Sequence, residues 1–234
     1  MTTQPQLPDT LEEATSQAIA SLDQALNKGI SRLLIDLRFQ ELKPLPVAYE
    51  IAMYLKQRYG IQWQALFADA GMAALAKRDW ADPDISLRGV NEGRRAVRPE
   101  DQALFLVAPS SVEVEQLERL LALANDRPFI MFNPRLENAE VGIGLYARRL
   151  RERFINTFTV VYYLEPLEQG ALYQAYPHQW QVWQNPQIPE TQMKLIYEGD
   201  RPSLETIDQL FRQRTGKGTS FLTRLQNFLS ALRS

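Results

Sequence analysis

The sequence predicts an α/β fold: a three-layer, mostly parallel, Rossmann-like sheet that is extended by an antiparallel meander and followed by a C-terminal amphipathic helix. Up to residue 132, short apolar runs alternate with segments of helical periodicity, as in parallel strands connected by covering helices. Between residues 157 and 197, four strand patterns follow one another through short connections, which is typical of a meander. After residue 220, apolar side chains recur at helical spacing along one stripe.

The parallel half of the predicted sheet opens with a capping box, formed by Thr10 and Glu13, and its first helix ends at Gly29. Runs such as 103–107 are apolar throughout, which favours strands that are buried on both faces. In chain order we expect a helix from 11 to 28, a strand at 32–37, a helix at 46–59, a strand at 63–68, a helix at 70–77, an edge strand at 85–90, a strand at 103–107, a helix at 110–125 and a strand at 128–132.

The pattern changes after about residue 140. We expect a basic helix at 145–154, strands at 157–164, 170–176, 179–184 and 193–197, and a helix at 203–214 that begins at Pro202 or Ser203. No linker-like stretch separates the two halves, so the meander is expected to extend the same sheet. The predicted organisation is a disordered tail at 1–8, one α/β domain at 9–214, and a hinge with the amphipathic helix at 215–234.

The composition excludes several kinds of site. The 234 residues contain no cysteine and one histidine, His178, which excludes disulfides, thiolate metal sites, cysteine nucleophiles and multi-histidine metal sites. The net charge of -2 gives no global attraction to nucleic acid, and we expect none as a partner. No apolar run reaches the roughly 18 residues of a membrane span, and residues 1–8 lack the pattern of a secretory signal. We expect a cytoplasmic location, with peripheral membrane contact left open.

Polar residues follow several predicted parallel strands, where the ligands of open α/β sheets bind. The candidate ligand-binding residues at these strand ends are Asp36, Asp69, Ser110, Ser111, Asn133 and Arg135. The backbone amides after Ser110 open a helix, and a helix N-terminus can hold an anion. The alternative is that these side chains only cap helices and form turns, which require the same residue types.

The arginines predict docking surfaces. One cluster contains Arg148, Arg149, Arg151 and Arg153, and a second contains Arg88, Arg94, Arg95 and Arg98. Guanidinium groups bind carboxylates and phosphates through paired hydrogen bonds, so either cluster is a candidate surface for an acidic partner. The alternative is a solvated face, because glutamates lie among the arginines.

The C-terminal segment carries the most regular apolar pattern. After Gly216 and Gly218, one stripe of a predicted helix contains Phe221, Leu222, Leu225, Phe228, Leu229 and Leu232, and Arg224 lies on the opposite face. Such a helix can pack back on its own core, lie in a membrane interface or dock into a groove of a partner. We expect partner or membrane binding through these side chains.

Catalytic motifs are not found where this fold would use them. The first predicted strand is followed by 38–44 without a glycine, so neither a dinucleotide fingerprint nor a phosphate loop stands there. The Gly-Lys-Gly-Thr of 216–219 follows a helix instead of a strand, which favours a hinge. His178 has no Gly-x-Ser-x-Gly elbow to accompany it. We assign no catalytic residue, metal or cofactor, and lean against an enzyme.

Several segments, in order, resemble the cyanobacterial and plastid domain-of-unknown-function family that includes the chloroplast Low PSII Accumulation three proteins. They are 66–71 leading to Trp80, 107–109 before Glu113, 133–135, Arg153-Phe154 and Thr157-Phe158 into Tyr163, and Tyr176-Pro177 with Trp180, and together they span about residues 8–185. The resemblance implies a photosynthetic source and a role in photosystem biogenesis. A similar plant domain is joined to an adenylate kinase, but this chain has no kinase motif. The resemblance carries over no functional residue.

Together these observations predict a non-enzymatic assembly or interaction factor for photosynthetic membrane complexes, peripheral on the cytoplasmic face of the thylakoid membrane. Its expected partners are photosystem or other thylakoid subunits, bound by the basic surfaces and the C-terminal helix. The alternative is a small-ligand or nucleotide-binding, transferase-like domain that uses the crevice at the strand ends. The oligomeric state is left open.

Overall fold

The computed structural model describes residues 6–110, 114–136, 154–186 and 192–212. Its nine strands form one sheet in the order β3-β2-β4-β5-β1-β6-β7-β8-β9. The strands are β1 Arg32–Leu37, β2 Trp63–Phe67, β3 Leu87–Gly89, β4 Ala103–Val107, β5 Phe129–Phe132, β6 Thr159–Leu167, β7 Gly170–Ala175, β8 Trp180–Gln184 and β9 Lys194–Gly199. The helices are α1 Leu11–Asn27, α2 Pro44–Tyr59, α3 Ala70–Trp80, α4 Val114–Ala124 and α5 Leu204–Arg212. The predicted mixed sheet, parallel first and then antiparallel, is confirmed.

The fold divides into two compact units. The parallel unit comprises Ala25–Asp36 and Lys43–Val160, and the meander unit comprises Met1–Gln24, Leu37–Leu42 and Val161–Ser234. The prediction of one domain at 9–214 stays a prediction, as does the hinge and helix at 215–234, which lies outside the described residues.

Strands β1 to β5 run parallel to one another. All of them belong to the parallel unit, except for Leu37, the last residue of β1. Every residue of β2 and β4 is buried, because each of the two faces of the sheet is covered. Leu104 and Leu106 of β4 pack with Leu117 of α4 in one apolar cluster. On the other face the Trp80 ring of α3 lies 5.7 Å from that of Phe67. Helices on both faces give the three layers that the apolar runs predict.

Local signals place most helix ends as predicted. Gly29 has φ +77° and its N–H donates to Leu26 O, while Ile30 N–H donates to Ala25 O, the two hydrogen bonds of a Schellman motif. Ser203 Oγ accepts from Thr206 N–H at 3.1 Å and caps α5. The first capping box differs in one bond: Thr10 Oγ1 accepts from Glu13 N–H, but the Glu13 carboxylate accepts from Asp9 N–H.

Several boundaries shift, each for a visible reason. Helix α3 continues three residues past Lys77 because Trp80 is buried between aromatic neighbours, 7% exposed. Strand β3 covers only three residues, since a 3₁₀ segment at Val90–Ala96 follows it, interrupted at Gly93. Strand β6 starts after another 3₁₀ turn and runs to Leu167, where it pairs with Gly170. Most of the basic helix predicted at 145–154 lies outside the described residues.

The meander unit contains the antiparallel strands β6 to β9. The turn at Glu168–Gln169 is tight, and the glycine that follows it is required. A Cβ on Gly170 would lie 1.8 Å from the carbonyl oxygen of Trp183 and 3.1 Å from the Phe211 ring of α5. No side chain fits in that space, so Gly170 sets how closely β7 and β8 approach at this turn.

Within the meander unit, α1 is tied to the sheet by one glutamine. The hydroxyls of Tyr162 and Tyr173 both donate to Gln17 Oε1, at 3.1 and 2.7 Å, and Gln17 Nε2 donates to Gln6 O. Both tyrosines are fully buried, and their rings meet edge to face at 5.8 Å. Burial raises the pKa of each phenol above its usual value, because the ionised form would be desolvated.

Replacing Gln17 with leucine removes the acceptor of both buried hydroxyls. Because a buried donor without a partner costs about 1–3 kcal/mol, we expect the free energy of unfolding to fall by at least that amount in urea denaturation. The matched control is Gln24→Leu, on the exposed surface of the same helix, which should change stability by less than about 0.5 kcal/mol. Equal effects of the two substitutions would show that the shared acceptor contributes nothing.

The tyrosine pKa shifts also predict a pH dependence. A phenol whose pKa is raised in the folded state stabilises the fold fully below the unfolded pKa of about 10, and this stabilisation is lost as the pH rises further. Each tyrosine contributes a slope of up to about 1.4 kcal/mol per pH unit. Urea unfolding between pH 9 and 12 should therefore show a shallower loss of stability in Tyr173→Phe than in the unmodified chain. If stability fell with pH equally steeply in both proteins, the raised pKa of Tyr173 would be contradicted.

Candidate functional site

The parallel strands bring their carboxyl ends to one edge of the sheet within the parallel unit. The register places Phe67 of β2 opposite Val107 of β4, Val107 opposite Phe132 of β5, and Phe132 opposite Ile35 of β1. The residues that follow these four positions in the chain therefore lie side by side, and we call this row of strand ends the carboxyl edge. Since neighbouring strands are about 4.8 Å apart, Asp36 and Asp69 at the two ends of this series are on the order of 14 Å apart.

The chain leaves β2 and β4 in opposite directions. From β2 it passes through α3 to β3, and from β4 it passes through α4 to β5, on the other side in the strand order. Such a reversal between neighbouring parallel strands opens a crevice beyond their carboxyl ends. Asp69 and Ser110 are the two predicted site residues that border it.

Asp69 is engaged in the backbone of the fold. Its Oδ1 accepts from Met72 N–H at 2.6 Å, and its carbonyl accepts from Ala73 N–H at 3.0 Å. The residue is therefore the N-cap of α3, which is the structural alternative considered for it. The side chain remains exposed at the start of the helix.

Ser110 and Arg135 are brought together. They form an isolated parallel bridge beyond the ends of β4 and β5, and Arg135 N–H donates to Pro109 O at 2.7 Å. Ser110 is half-buried, whereas Arg135 is exposed. The structure thus places Arg135 beside Ser110, which borders the crevice, and a ligand-binding role for the pair stays a prediction. Ser111 lies outside the described residues.

Asn133 follows β5 in a left-handed conformation, φ +45°, and Ala108 follows the neighbouring β4 at φ +46°. The amides of both continue the sheet: Asn133 N–H donates to Ile35 O and Ala108 N–H to Phe132 O, each at 2.8 Å. Alanine adopts this region rarely, so the edge holds a strained backbone beside the crevice. On the next strand Asp36 is only 4% exposed. Ligand binding by Asp36 and Asn133 stays a prediction.

Within the second arginine cluster, Arg88 and Arg98 pair with carboxylates of the parallel unit, and a docking role for the cluster stays a prediction. Arg98 bonds to the Asp101 carboxylate at 2.7 Å and to the carbonyls of Ile61 and Trp63. Arg88 lies 3.4 Å from Glu92. The charge of Arg98 therefore holds loops of the parallel unit together instead of facing a partner. Outside the described residues lie Arg148, Arg149, Arg151, Phe221, Leu222, Arg224, Leu225, Phe228, Leu229 and Leu232, and their docking roles stay predictions.

The meander unit contains a cluster that the sequence analysis did not assemble, here named the arginine–aromatic row: Arg38, Tyr163, Trp180 and Arg201. The Tyr163 and Trp180 rings are 5.0 Å apart. The guanidinium carbons of Arg38 and Arg201 each lie 5.3 Å from the Tyr163 centroid, and that of Arg201 lies 4.8 Å from the Trp180 ring. Both arginines are exposed, whereas Tyr163 is 2% exposed.

Strand register explains why these side chains meet. Arg38 N–H donates to Leu164 O, which places the end of β1 beside β6. Tyr163 of β6 is opposite Gln174 of β7, and the β7–β8 register continues to place Gln174 opposite Trp180. Residues opposite each other in neighbouring strands share a face of the sheet. Gln174 is 6% exposed, and its Oε1 has no hydrogen-bond partner within the described ranges.

The electrostatics of the row favour guanidinium groups that stay in contact with the aromatic rings. Guanidinium groups are attracted to the faces of aromatic rings, by about 0.5–1 kcal/mol at exposed sites. Tyr163 donates its hydroxyl hydrogen to Glu165, which adds electron density to the ring that the two arginines contact. Among the described residues Arg201 has ring contacts but no carboxylate partner. The signal available in the sequence was limited to the presence of Tyr163, Gln174 and Trp180 in three successive predicted strands, which does not fix which residues lie opposite each other.

Two structural features are absent from the part of the chain that the structure describes. There, no group of three or more histidine, aspartate or glutamate side chains is placed to hold a metal ion. None of the helices described combines the length and apolar character needed to cross a bilayer.

The family model of a domain of unknown function, DUF1995, matches residues 8–209, which is most of the chain. The matched region contains the carboxyl edge and the arginine–aromatic row.

Asp69 can be tested as a cap separately from any binding role. Asp69→Ala should lower the free energy of unfolding by about 1 kcal/mol, whereas Asp69→Asn, which keeps a capping oxygen, should retain most of the stability. Urea denaturation measures both. If the alanine variant were as stable as the asparagine variant, the Met72 N–H bond would not stabilise α3.

Proposed function

Since the chain belongs to the DUF1995 family, whose function is unknown, we propose that it is a non-enzymatic interaction factor that docks on protein subunits of photosynthetic membrane complexes. The docking is electrostatic and involves an acidic segment of the partner. The observation that carries the proposal is the arginine–aromatic row, in which exposed Arg201 contacts the rings of Tyr163 and Trp180 and has no carboxylate partner among the described residues.

An exposed arginine usually samples many rotamers, and binding must then restrict them at a cost of about 0.5–1.5 kcal/mol per side chain. Ring contacts at 4.8 and 5.3 Å limit this freedom for Arg201 before any partner arrives. Tyr163 in turn is fixed by burial. A guanidinium group held in this way can accept a carboxylate through two parallel hydrogen bonds. Arg38, on the same tyrosine ring, adds a second positive charge within about 11 Å.

The carboxyl edge supports a ligand-binding function less well. Asp69, which borders the crevice, is committed to capping α3. Arg135 is exposed, but the Ser110–Arg135 bridge and the left-handed Asn133 have a structural role in ending the strands. These contacts account for the residue types at the edge without any bound molecule.

The photosynthetic context of the proposal rests on the resemblance of residues 8–185 to the chloroplast Low PSII Accumulation three proteins. On this proposal the chain works peripherally at the cytoplasmic face of the thylakoid membrane during photosystem biogenesis. The predicted helix around Phe221, Leu225 and Phe228 would add apolar contacts, and the cluster around Arg148 would add charge.

The row can be tested by capture from detergent-solubilised thylakoid membranes, with bound proteins identified by mass spectrometry. We expect the intact chain to recover photosystem subunits, and Arg201→Gln to reduce that recovery about tenfold, equivalent to roughly 1.4 kcal/mol. Raising the salt concentration should weaken recovery by the intact chain, because exposed ion pairs are screened. Deleting residues 217–234 tests the predicted helix in a separate arm, and should also reduce recovery.

The matched control is Arg119→Gln, another exposed arginine, which lies on α4 in the parallel unit and should leave recovery unchanged. Circular dichroism confirms that each variant is folded. If Arg201→Gln recovered the same subunits in the same amounts as the unmodified chain, the arginine–aromatic row would not be part of the interface. Failure of the folded, unmodified chain to recover any photosystem subunit would overturn the proposed function itself.

A further inference from the structure

The first turn of helix α5 leaves a large apolar side chain in solvent. Leu204 is followed at i+3 and i+7 by Ile207 and Phe211, which are 4% and 5% exposed. Residues at this spacing share one stripe of a helix. Leu204 is nevertheless 77% exposed, the highest value for a large apolar side chain in the part of the chain that the structure describes. The apolar stripe of α5 therefore extends one turn beyond the core that it covers.

Helix α5 and the arginine–aromatic row lie on the same face of the meander. Gln174 is opposite Tyr163 of the row, and Gly170 is four residues before Gln174 on β7, so both positions share that face of the sheet. A Cβ on Gly170 would lie 3.1 Å from the ring of Phe211. The last turn of α5 therefore packs at the Gly170 end of this face, and its first residue follows Arg201 by three positions.

The exposed leucine is close to the guanidinium group of Arg201. Because only three residues separate them, the Cα atoms of Arg201 and Leu204 are at most about 11 Å apart. Both side chains are exposed, and Ser203 Oγ, which accepts from Thr206 N–H at 3.1 Å, fixes the start of α5 between them. We name these two side chains the Arg201–Leu204 patch. The patch offers a cation in contact with two rings beside an uncovered apolar group.

The charges around the patch limit how acidic its partner segment can be. Asp200 immediately precedes Arg201 and Glu205 immediately follows Leu204, and both carboxylates are on exposed residues. A run of acidic residues laid across the patch would meet these negative charges, and like charges brought together across an interface weaken binding. A single carboxylate placed on the Arg201 guanidinium avoids most of this repulsion. An apolar neighbour of that carboxylate would gain affinity by covering Leu204.

We propose that the Arg201–Leu204 patch recognises a partner segment in which one carboxylate is flanked by large apolar side chains, and that it discriminates against runs of acidic residues. The carboxylate accepts two hydrogen bonds from Arg201, whose freedom the Tyr163 and Trp180 rings restrict. An apolar neighbour packs on Leu204. The inference rests on the proposed function, because it specifies which segment of a protein partner docks on the arginine–aromatic row.

The probes are peptides with blocked termini that differ only in a central triplet: Leu-Glu-Leu, Leu-Gln-Leu, Ser-Glu-Ser or Glu-Glu-Glu. Each is titrated into the isotope-labelled full chain while NMR follows the Leu204 methyl and Arg201 Nε–Hε signals, which are identified by their loss in Leu204→Gln and Arg201→Gln. The Leu-Glu-Leu peptide should shift both signals in a saturable way. It should bind at least about threefold more tightly than each other peptide, roughly the effect of burying one methylene group. Equal or tighter binding of the Glu-Glu-Glu peptide would overturn the discrimination against acidic runs.

Leu204→Gln should weaken binding of the Leu-Glu-Leu peptide at least about threefold and leave binding of the Ser-Glu-Ser peptide unchanged. The matched control is Ile61→Gln, at a 63% exposed apolar residue of the parallel unit, which should change neither. Equal effects of the two variants, or a Leu-Glu-Leu titration that leaves the Leu204 and Arg201 signals in place, would contradict the patch. If the intact chain still captures photosystem subunits, such a result overturns only the chemistry of the segment, whereas failed capture overturns the proposed function.

Discussion

Strands that are apolar on both faces have to be covered on both faces, and this constraint determines the parallel unit. Strands β2 and β4 have no exposed residue, and burying each large apolar side chain contributes about 1.5–3 kcal/mol. Helices α2 and α3 therefore lie on one face and α4 on the other, with the chain reversing direction between β2 and β4. The crevice at the carboxyl edge follows from this placement of helices on both faces. Asp69 acts as a cap because α3, one of the covering helices, begins directly after it.

The meander unit solves a different problem, because its strands present polar and aromatic side chains as well as apolar ones. Tyr162 and Tyr173 find a shared acceptor in Gln17, whereas Tyr163 is covered by the guanidinium groups of Arg38 and Arg201. A buried aromatic ring thereby fixes charges that remain exposed to solvent. The same contact that shields the ring would also hold a guanidinium group ready for the acidic partner that we propose.

Elements were predicted well where one physical signal dominated. The apolar runs gave β1 and β4 with their observed bounds, and Gly29 ended α1 through its positive φ. The extension of α3 to Trp80 depended on ring packing between elements distant in sequence, which periodicity along one helix does not contain. The parallel strand ends meet at one edge, as the predicted fold requires, but the sequence could not separate capping from binding at Asp69. Arg201 was missed because its partners are on other strands, joined only by cross-strand register.

The central claim is that ring contacts hold the arginines of the row before any partner binds. NMR relaxation of the arginine Nε–Hε groups measures this directly on the nanosecond timescale. Arg38 and Arg201 should have order parameters above about 0.6, the value below which a group counts as flexible. Arg119, which is 77% exposed with its nearest carboxylate at 4.0 Å, should fall below it. Equal, low order parameters for all three side chains would contradict the claim.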